Sequence, residues 1–492
     1  MSPRSNNPPQ RTNPAVERLF FFNRSLLIHS PPASLLATAW VFLYSSGCAD
    51  GEAQEDTGPS VVEGEWLPGG DTTNTRLLGS NAFLMPAQNL TPENELAFYG
   101  GNGFFNQGWV EAPASTEARD GLGPFFNARS CSGCHFRDGK AAPPDEGSGP
   151  FVGLLLRLSV PGPEGPVPEP VYGNQLQDQA NPDLRPEGLA SVTWRTEEGH
   201  HDDGTPYSLV RPVFALQDPT YGAFSSDLMT SPRIAPHMIG LGLLEAITSS
   251  RLLQLEDPED ADEDGISGRL QWHTYQGEEV PGRFGWKAEA PNLEVQSSAA
   301  FSNDMGLTTS LHPQDDCTEG QPDCLKEPNG GEPEVDEHIF GRVVHYSRTV
   351  AVPVRRAADD RDVLQGKKLF RDLNCHGCHT ASHTTGESTI EELSHQLIWP
   401  YTDLLLHDMG PGLADGRPVG EASGQEWKTP PLWGLGLMSD VSNHTRYLHD
   451  GRARNLEEAI LWHGGEAQAS RDGFMALSSK ERAQILKFLG DL

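Results

Sequence analysis

The chain has 492 residues, with 69 acidic and 36 basic side chains and a formal net charge of −33. This length leaves material for two or three domains after an N-terminal signal. So strong a negative charge argues against nucleic acid as a partner, whereas an acidic surface suits a basic electron donor such as a small cytochrome c; simple solubility is the alternative.

The N-terminus has the pattern of an export signal. Basic residues precede a short apolar run at 35–44, which is too short to span a bilayer. We assign residues 1–47 to this signal and expect the mature protein in the periplasm or anchored to the bacterial envelope. Small residues before Cys48 resemble a lipoprotein cleavage site, so a lipid at Cys48 is the expected link to a membrane; ordinary cleavage nearby is the alternative. Residues 48–75 predict a flexible acidic tether.

The N-terminal unit begins with a predicted helix. Thr91 is its expected N-cap, and Pro92 occupies the first helical position. The sequence Cys-x-x-Cys-His follows at residues 131–135. Two thiols one helical turn apart can each add to a haem vinyl group, and the next imidazole can then reach the iron. From residue 151 to about residue 216, short apolar runs broken by Pro and Gly predict a β-containing insertion.

A long connection separates this unit from the next. Asp260, Asp262 and Asp264 stand at the spacing of a calcium loop, although no Glu occupies the twelfth position. Calcium and a solvated acidic turn are both open interpretations. Cys317 and Cys324 lie in a loop rich in Pro, Asp and Gly, so we expect a local disulfide, with two unpaired thiols as the alternative.

The C-terminal unit combines a helix, a second attachment motif and a closing helix. Apolar residues recur at helical spacing over 363–373, directly before a second Cys-x-x-Cys-His at 375–379. Ser478 and Glu481 predict a capping box at the start of the terminal helix. Gly366 would allow the two helices to cross closely over the haem edge, with an incidental surface glycine as the alternative.

The repeated motif predicts the cofactor and the fold. The same His offset after both Cys pairs favours two covalently bound c-type haems over structural zinc or a disulfide. We therefore predict a mainly α protein with two cytochrome c-like haem domains, residues 76–345 and 346–492, and a β-containing insertion in the N-terminal lobe. The candidate haem-binding residues are Cys131, Cys134, His135, Cys375, Cys378 and His379.

Four strings carry a family resemblance, at residues 240–247, 264–269, 401–410 and 447–452. Together they resemble the di-haem oxidoreductase, putative peroxidase family, over most of the chain from about residue 80. The resemblance implies a relative of the bacterial di-haem cytochrome c peroxidases and of the di-haem enzymes that mature methylamine dehydrogenase. It implies peroxide reduction at the first haem, with electrons from an external donor accepted by the second. An electron carrier without a substrate and a maturation enzyme that oxidises a partner protein are the alternatives.

The relatives also imply axial ligands. His463 matches the position of the second distal ligand, so His379 and His463 would both bind the second iron; a surface histidine is the alternative. No histidine occurs between His135 and His200, where the peroxidases place a detachable ligand. The first iron is therefore either open or bound by a residue such as His237, for which pocket lining or solvent exposure is the alternative.

Other residues gain candidate roles from the same resemblance. Glu245 is placed like the acid that helps a peroxidase to break the O–O bond, with a helix cap or a pair with an Arg as the alternative. His407 and Met409 are candidates to line the space between the haems or to offer a ligand, with a structural role as the alternative. Three tryptophans are candidates to bridge the haems, with core packing as the alternative for each: Trp286, Trp399 and Trp433.

Overall fold

The computed structural model describes residues 60–76, 79–116 and 118–492. The predicted export signal, Cys48 and the first part of the predicted tether lie outside these residues. Within the described ranges, no helix is long and apolar enough to cross a membrane.

Helices form where the chain supplies capping residues. The Thr91 side chain accepts a hydrogen bond from Asn94 N at the start of the first long helix, which begins at Pro92 as predicted. The predicted capping box of Ser478 and Glu481 is also present. The helices in chain order are α1 (Pro92–Asn106), α2 (Cys131–Cys134), α3 (Leu241–Glu245), α4 (Ser249–Leu255), α5 (Leu293–Met305), α6 (Glu337–Thr349), α7 (Arg361–Asp372), α8 (Gly410–Leu413), α9 (Met438–Ser442), α10 (Leu456–Leu461), α11 (Gln468–Ala476) and α12 (Ser479–Leu489).

The strands are antiparallel and belong to small sheets. They are β1 (Phe125–Phe126), β2 (Gly147–Gly149), β3 (Leu154–Gly162), β4 (Gly165–Val167), β5 (Gln179–Ala180), β6 (Leu189–His200), β7 (Pro206–Gln217), β8 (Met229–Ile234), β9 (Trp272–Tyr275), β10 (Glu278–Pro281), β11 (His383–Thr384), β12 (Leu397–Ile398), β13 (Leu406–Asp408) and β14 (Glu426–Lys428). In the described part of the chain, two sheets have three strands, in the orders β2-β6-β7 and β4-β3-β8. The remaining strands pair as β1-β5, β9-β10, β11-β12 and β13-β14.

These sheets overturn the predicted fold class. The structure is 29% helix and 20% strand, so the prediction of a mainly α protein is wrong. Strand β6 pairs with β7 along all of its 12 residues, and β3 pairs with β8, where Leu154 faces Ile234. The longest strands, β3, β6 and β7, lie in the β-containing insertion predicted from residue 151 to about residue 216. The strands outside it are only two to six residues long and leave a weak local pattern, which explains the error. The two cytochrome c-like haem domains stay a prediction.

Two helix pairs organise the rest of the structure. Helix α1 packs on α6, and α7 packs on α12. A Cβ atom at Gly366 of α7 would lie 2.0 Å from the carbonyl oxygen of Gln484 in α12. The prediction that Gly366 allows a close crossing is therefore confirmed. The largest hydrophobic core also draws residues from both sides of residue 345, including Phe83 and Trp433.

A buried ionic cluster joins the described end of the predicted tether to the C-terminal unit. Glu65 is 1% exposed. Its carboxylate pairs with Arg355 and with Lys367, whose Nζ is 2.6 Å away, and it accepts a hydrogen bond from the Tyr401 hydroxyl at 3.0 Å. Arg355 Nε also donates to Asp491 at 2.9 Å. The residues around Glu65 are therefore packed against the C-terminal unit.

The loop between α5 and α6 carries a disulfide. Cys317 and Cys324 are bonded to each other, which confirms the predicted local disulfide. The four cysteines of the two Cys-x-x-Cys-His motifs are free thiols in the described chain.

Candidate functional site

Both Cys-x-x-Cys-His motifs open onto one cavity of about 520 Å³. Among the described residues that line it are the Cys and His side chains of both motifs and His463. Most of the wall is apolar, with α5 supplying Leu293, Ala300 and Phe301. The fold thus brings together residues more than 240 positions apart, which line one largely apolar space.

The first motif is held by a single helical turn. Cys131 and Cys134 begin and end α2, so both thiols lie on one turn. The chain then leaves the helical conformation at His135, whose Nδ1 lies 2.7 Å from the carbonyl oxygen of Pro236. Since a carbonyl can only accept a hydrogen bond, Nδ1 carries the proton and Nε2 keeps its lone pair. His135 is therefore oriented and protonated as a metal ligand requires.

The second motif repeats this arrangement with a second imidazole. His379 Nδ1 lies 2.9 Å from the carbonyl oxygen of Tyr401. His463, just after α10, has its Nδ1 2.7 Å from the carbonyl oxygen of Ala459. Both Nε2 atoms therefore keep a lone pair, and the two imidazoles are close enough to influence each other's protonation. The second motif thus has two imidazoles prepared for a metal.

Burial keeps these groups neutral. It lowers the pKa of His135 and of His379 to about 4, and it lowers the pKa of His463 in the same direction. Burial also raises the pKa of the Cys131 and Cys134 thiols to about 12. At neutral pH the site therefore presents neutral imidazoles and protonated thiols.

Two other candidate histidines also line the cavity but differ in their partners. His237 Nδ1 is buried without a hydrogen-bond partner, and burial, Lys140 and His135 lower its pKa to about 3. Both ring nitrogens of His407 have carboxylate partners: Nε2 lies 2.8 Å from Asp403, and Nδ1 lies 2.8 Å from Glu466. His407 is therefore a partner of carboxylates, while the role of His237 as a ligand stays a prediction. Met409 lines the cavity as well.

Glu245 is not brought to the site. It does not line the cavity. Its carboxylate receives Arg348 Nε at 2.6 Å and Nη2 at 3.1 Å, and it accepts a hydrogen bond from Leu293 N at 2.7 Å. The contacts are those of the structural alternative, a pair with an Arg, so the geometry does not support the catalytic role suggested by the sequence. The described carboxylates that do line the cavity are Glu289 and Asp304.

The three candidate tryptophans also differ in whether they line the cavity. Trp286 lines the cavity, whereas Trp399 and Trp433 do not and are each 1% exposed. Sequence reasoning missed Trp427, whose ring stacks on His449 with centroids 3.8 Å apart and planes at 12°. Both of these rings line the cavity. His449 lies in one of the strings that carry the family resemblance, and that was the available signal.

The acidic loop brings together a different set of aspartates from the one predicted. Carboxylate oxygens of Asp257, Asp260 and Asp262 lie within 4.8 Å of one another. Asp264 instead accepts hydrogen bonds from Ile266 N at 2.9 Å and from Asn374 Nδ2 at 3.0 Å. Calcium at this loop stays a prediction.

Comparison with known families identifies the chain. The family described as di-haem oxidoreductase, putative peroxidase, matches residues 65–151 and 165–492. The chain belongs to this family. A comparison with curated proteins found no match. Family membership implies haem cofactors, and the cavity fits them: it offers two thiol pairs, apolar walls, and three imidazoles whose Nε2 lone pairs suit iron.

Proposed function

We propose that this protein reduces hydrogen peroxide with electrons from an external donor such as a small cytochrome c. The reaction consumes one peroxide, two electrons and two protons and yields two waters. The observation that carries the proposal is the unequal supply of imidazoles in one cavity. Among the described residues, the second motif has two with Nδ1 held by a carbonyl, His379 and His463, whereas the first has His135 alone in this form. His237 also lines the cavity, but its Nδ1 has no hydrogen-bond partner.

The cysteines would hold the haems covalently. Each thiol would add across a vinyl double bond, so that sulfur bonds to one carbon and the hydrogen goes to the other; no oxidant is needed. Free, protonated thiols are the form in which this addition begins. Haem bound in this way supplies a redox centre for peroxide and a store for electrons.

The residues around the two motifs would then play different parts. His379 and His463 would together hold the iron of the second haem, and a haem held by two protein ligands would supply electron transfer. His135 would hold the iron of the first haem, and that haem would supply the reduction of peroxide. Leu241, Leu293 and Phe301 keep part of the cavity wall apolar, which limits the entry of water.

Asp304 replaces Glu245 as the candidate for proton transfer. Its backbone carbonyl accepts hydrogen bonds from Asn127 N and Ala128 N, just before the first motif. Burial raises the pKa of Asp304 to about 6, although Gln175 donates to its Oδ1 at 2.8 Å. A group with a pKa near the working pH is best suited to move a proton between the peroxide oxygens.

We also propose that the protein acts outside the cytoplasm. We infer export and an envelope or periplasmic site from the signal pattern at residues 1–47, with a lipid at Cys48 as the anchor. An acidic protein in that compartment would attract a basic electron donor, and the attraction would weaken as ionic strength rises.

The test uses the purified holoprotein. We expect its ferric spectrum to contain one low-spin and one high-spin haem, and the reduced protein to be reoxidised by peroxide with two electrons per molecule. His463→Ala should convert the low-spin signal to high spin. His395→Ala is the matched control, because His395 is exposed on the surface, and it should leave the spectrum unchanged.

Two low-spin haems in the wild type, together with no reoxidation by peroxide, would refute peroxide reduction and favour an electron carrier. An unchanged spectrum in His463→Ala would remove His463 from the second iron.

A further inference from the structure

The cavity has the opposite charge balance to the rest of the chain. The whole sequence has 36 basic and 69 acidic side chains. Among the described residues, however, the cavity lining contains only two acidic side chains, Glu289 and Asp304. Its basic side chains number six: Lys140, Arg157, Arg233, Arg283, Lys428 and Arg471. Arg233 and Arg471 have carboxylate partners, Glu289 and Asp472. The positive charge of the other four is costly to bury unless an anion offsets it.

Lys428 is the clearest member of this set. It ends β14 and is 8% exposed. Its Nζ makes one hydrogen bond within the described chain, a long one of 3.5 Å to the carbonyl oxygen of the next residue, Thr429. No described carboxylate lies within ion-pair distance of it, and burial lowers its pKa to about 8 even though Asp403 and Glu289 oppose that shift. An ammonium group has three donors, so most of its hydrogen-bonding capacity is unused.

Two arginines on the cavity wall are also incompletely paired. Arg157 Nη1 donates to Gln175 at 3.0 Å, but its Nε is buried without a partner. Arg233 Nη1 is bound by Glu289, whereas its Nη2 has no hydrogen bond and lies 3.8 Å from Asp415. Burial lowers the pKa of Arg157, and the charge of Arg233 adds to that effect. These donors would gain from a carboxylate that enters the cavity.

We propose that Lys428 and Arg157 bind carboxylate groups carried by the haems, namely the propionates. Haem brings two such groups, and an apolar cavity that takes up the ring must also satisfy them. This inference rests on haem occupying the cavity and not on the reduction of peroxide, so it can stand or fall independently of the proposed function.

The test measures each haem's midpoint potential and its propionate vibrations in the full-length holoprotein. A nearby positive charge favours the reduced iron, so its removal should lower the potential. We expect Lys428→Gln and Arg157→Gln each to shift the reduction equilibrium of one haem by about tenfold, which for one electron is about 59 mV. The propionate-bending band in the resonance Raman spectrum should move in the same variants.

Two further variants control the result. Lys480→Gln removes an exposed lysine and should change neither readout. Lys428→Arg keeps the charge and should stay close to the wild type in both. If Lys428→Gln loses its haem while Lys428→Arg keeps it, the proposal is supported.

Three outcomes would overturn it. The first is a holoprotein of Lys428→Gln and of Arg157→Gln with unchanged potentials and an unchanged propionate band. The second is loss of haem from both Lys428→Gln and Lys428→Arg, which would show that Lys428 acts by packing. The third is a midpoint potential of the wild type that changes on titration with inorganic phosphate, together with a propionate band that does not move in any variant. Lys428 and Arg157 would then bind a free anion and not the propionates.

Discussion

The crossing of α7 and α12 makes Gly366→Ala an informative perturbation. A Cβ at this position would lie 2.0 Å from the carbonyl oxygen of Gln484 and 2.9 Å from Cβ of Phe488. The nearest atom belongs to the backbone, so no side-chain rotation can relieve the clash. Since real Cβ contacts are essentially never shorter than 3.0 Å, the helices must separate by at least about 1 Å.

The energetic effect follows from two opposing terms. Overpacking of a closely fitted core costs about 1–3 kcal/mol, and a rigid backbone contact belongs at the upper end of that range. Replacing Gly with Ala inside a helix returns about 1 kcal/mol. We therefore expect the free energy of unfolding to fall by about 2 kcal/mol. Phe370 and Leu489, from the same two helices, pack in the core that flanks the second motif, so the spectrum of the second haem should also change.

Gly341→Ala is the matched control. Gly341 is exposed within α6, and a Cβ there would meet no atom within 4 Å. The same substitution should therefore raise the free energy of unfolding by about 1 kcal/mol. Denaturant unfolding followed by circular dichroism measures both variants. A Gly366→Ala variant as stable as the wild type would refute the account of a tight crossing.

The remaining predictions concern three carboxyl groups. Glu245→Gln should leave haem content and peroxide turnover unchanged but lower the free energy of unfolding by about 1–3 kcal/mol, because Arg348 loses its nearest carboxylate and keeps the longer contact with Glu294, at 3.4 Å. A large loss of turnover with normal stability would contradict this. Asp304→Asn should slow peroxide turnover by about 10²-fold or more. Asp316→Asn is the control and should keep the wild-type rate, because burial also raises the pKa of Asp316 to about 6 but this residue does not line the cavity. Equal turnover rates in the two variants would exclude Asp304 as the proton donor. Burial raises the pKa of Asp138 to about 7, above its unfolded value of about 3.9, so the contribution of the protonated carboxyl to stability is complete below about pH 4 and is lost as pH rises through about 7. Asp138→Asn should therefore flatten the pH dependence of the free energy of unfolding in that window. An unchanged pH dependence would disprove the raised pKa of Asp138.

Local signals in the sequence predicted local structure well. Pro92 and the Ser478–Glu481 pair act within one helical turn, so the starts of α1 and α12 could be predicted without knowledge of the fold. The attachment motifs are equally local, since five consecutive residues contain the whole chemical pattern. The cysteine pair at 317 and 324 is close enough in sequence to be joined by a short loop.

Features that depend on distant partners were missed or misjudged. Strands outside the predicted insertion, such as β13 and β14, have only three residues each and are barely marked by a local pattern, and the predicted fold class failed for this reason. Glu245 lies in a string that resembles a family motif, but its partner Arg348 is 103 positions away and could not be read from that string. The stack of Trp427 on His449 likewise depends on how β14 is placed by its pairing with β13.

The ionic cluster at Glu65 bears on the order in which the chain can fold as it is made. Glu65 is synthesised 290 positions before Arg355, its partner. At the usual rate of about 5–20 residues per second, this separation corresponds to about 15–60 s in which the carboxylate has no buried counterion. Burying it alone during that interval would be unfavourable. The segment around residue 65 must therefore stay solvated until the C-terminal helices have been synthesised. The N-terminal part of this protein thus completes its fold only after the C-terminal part has been made.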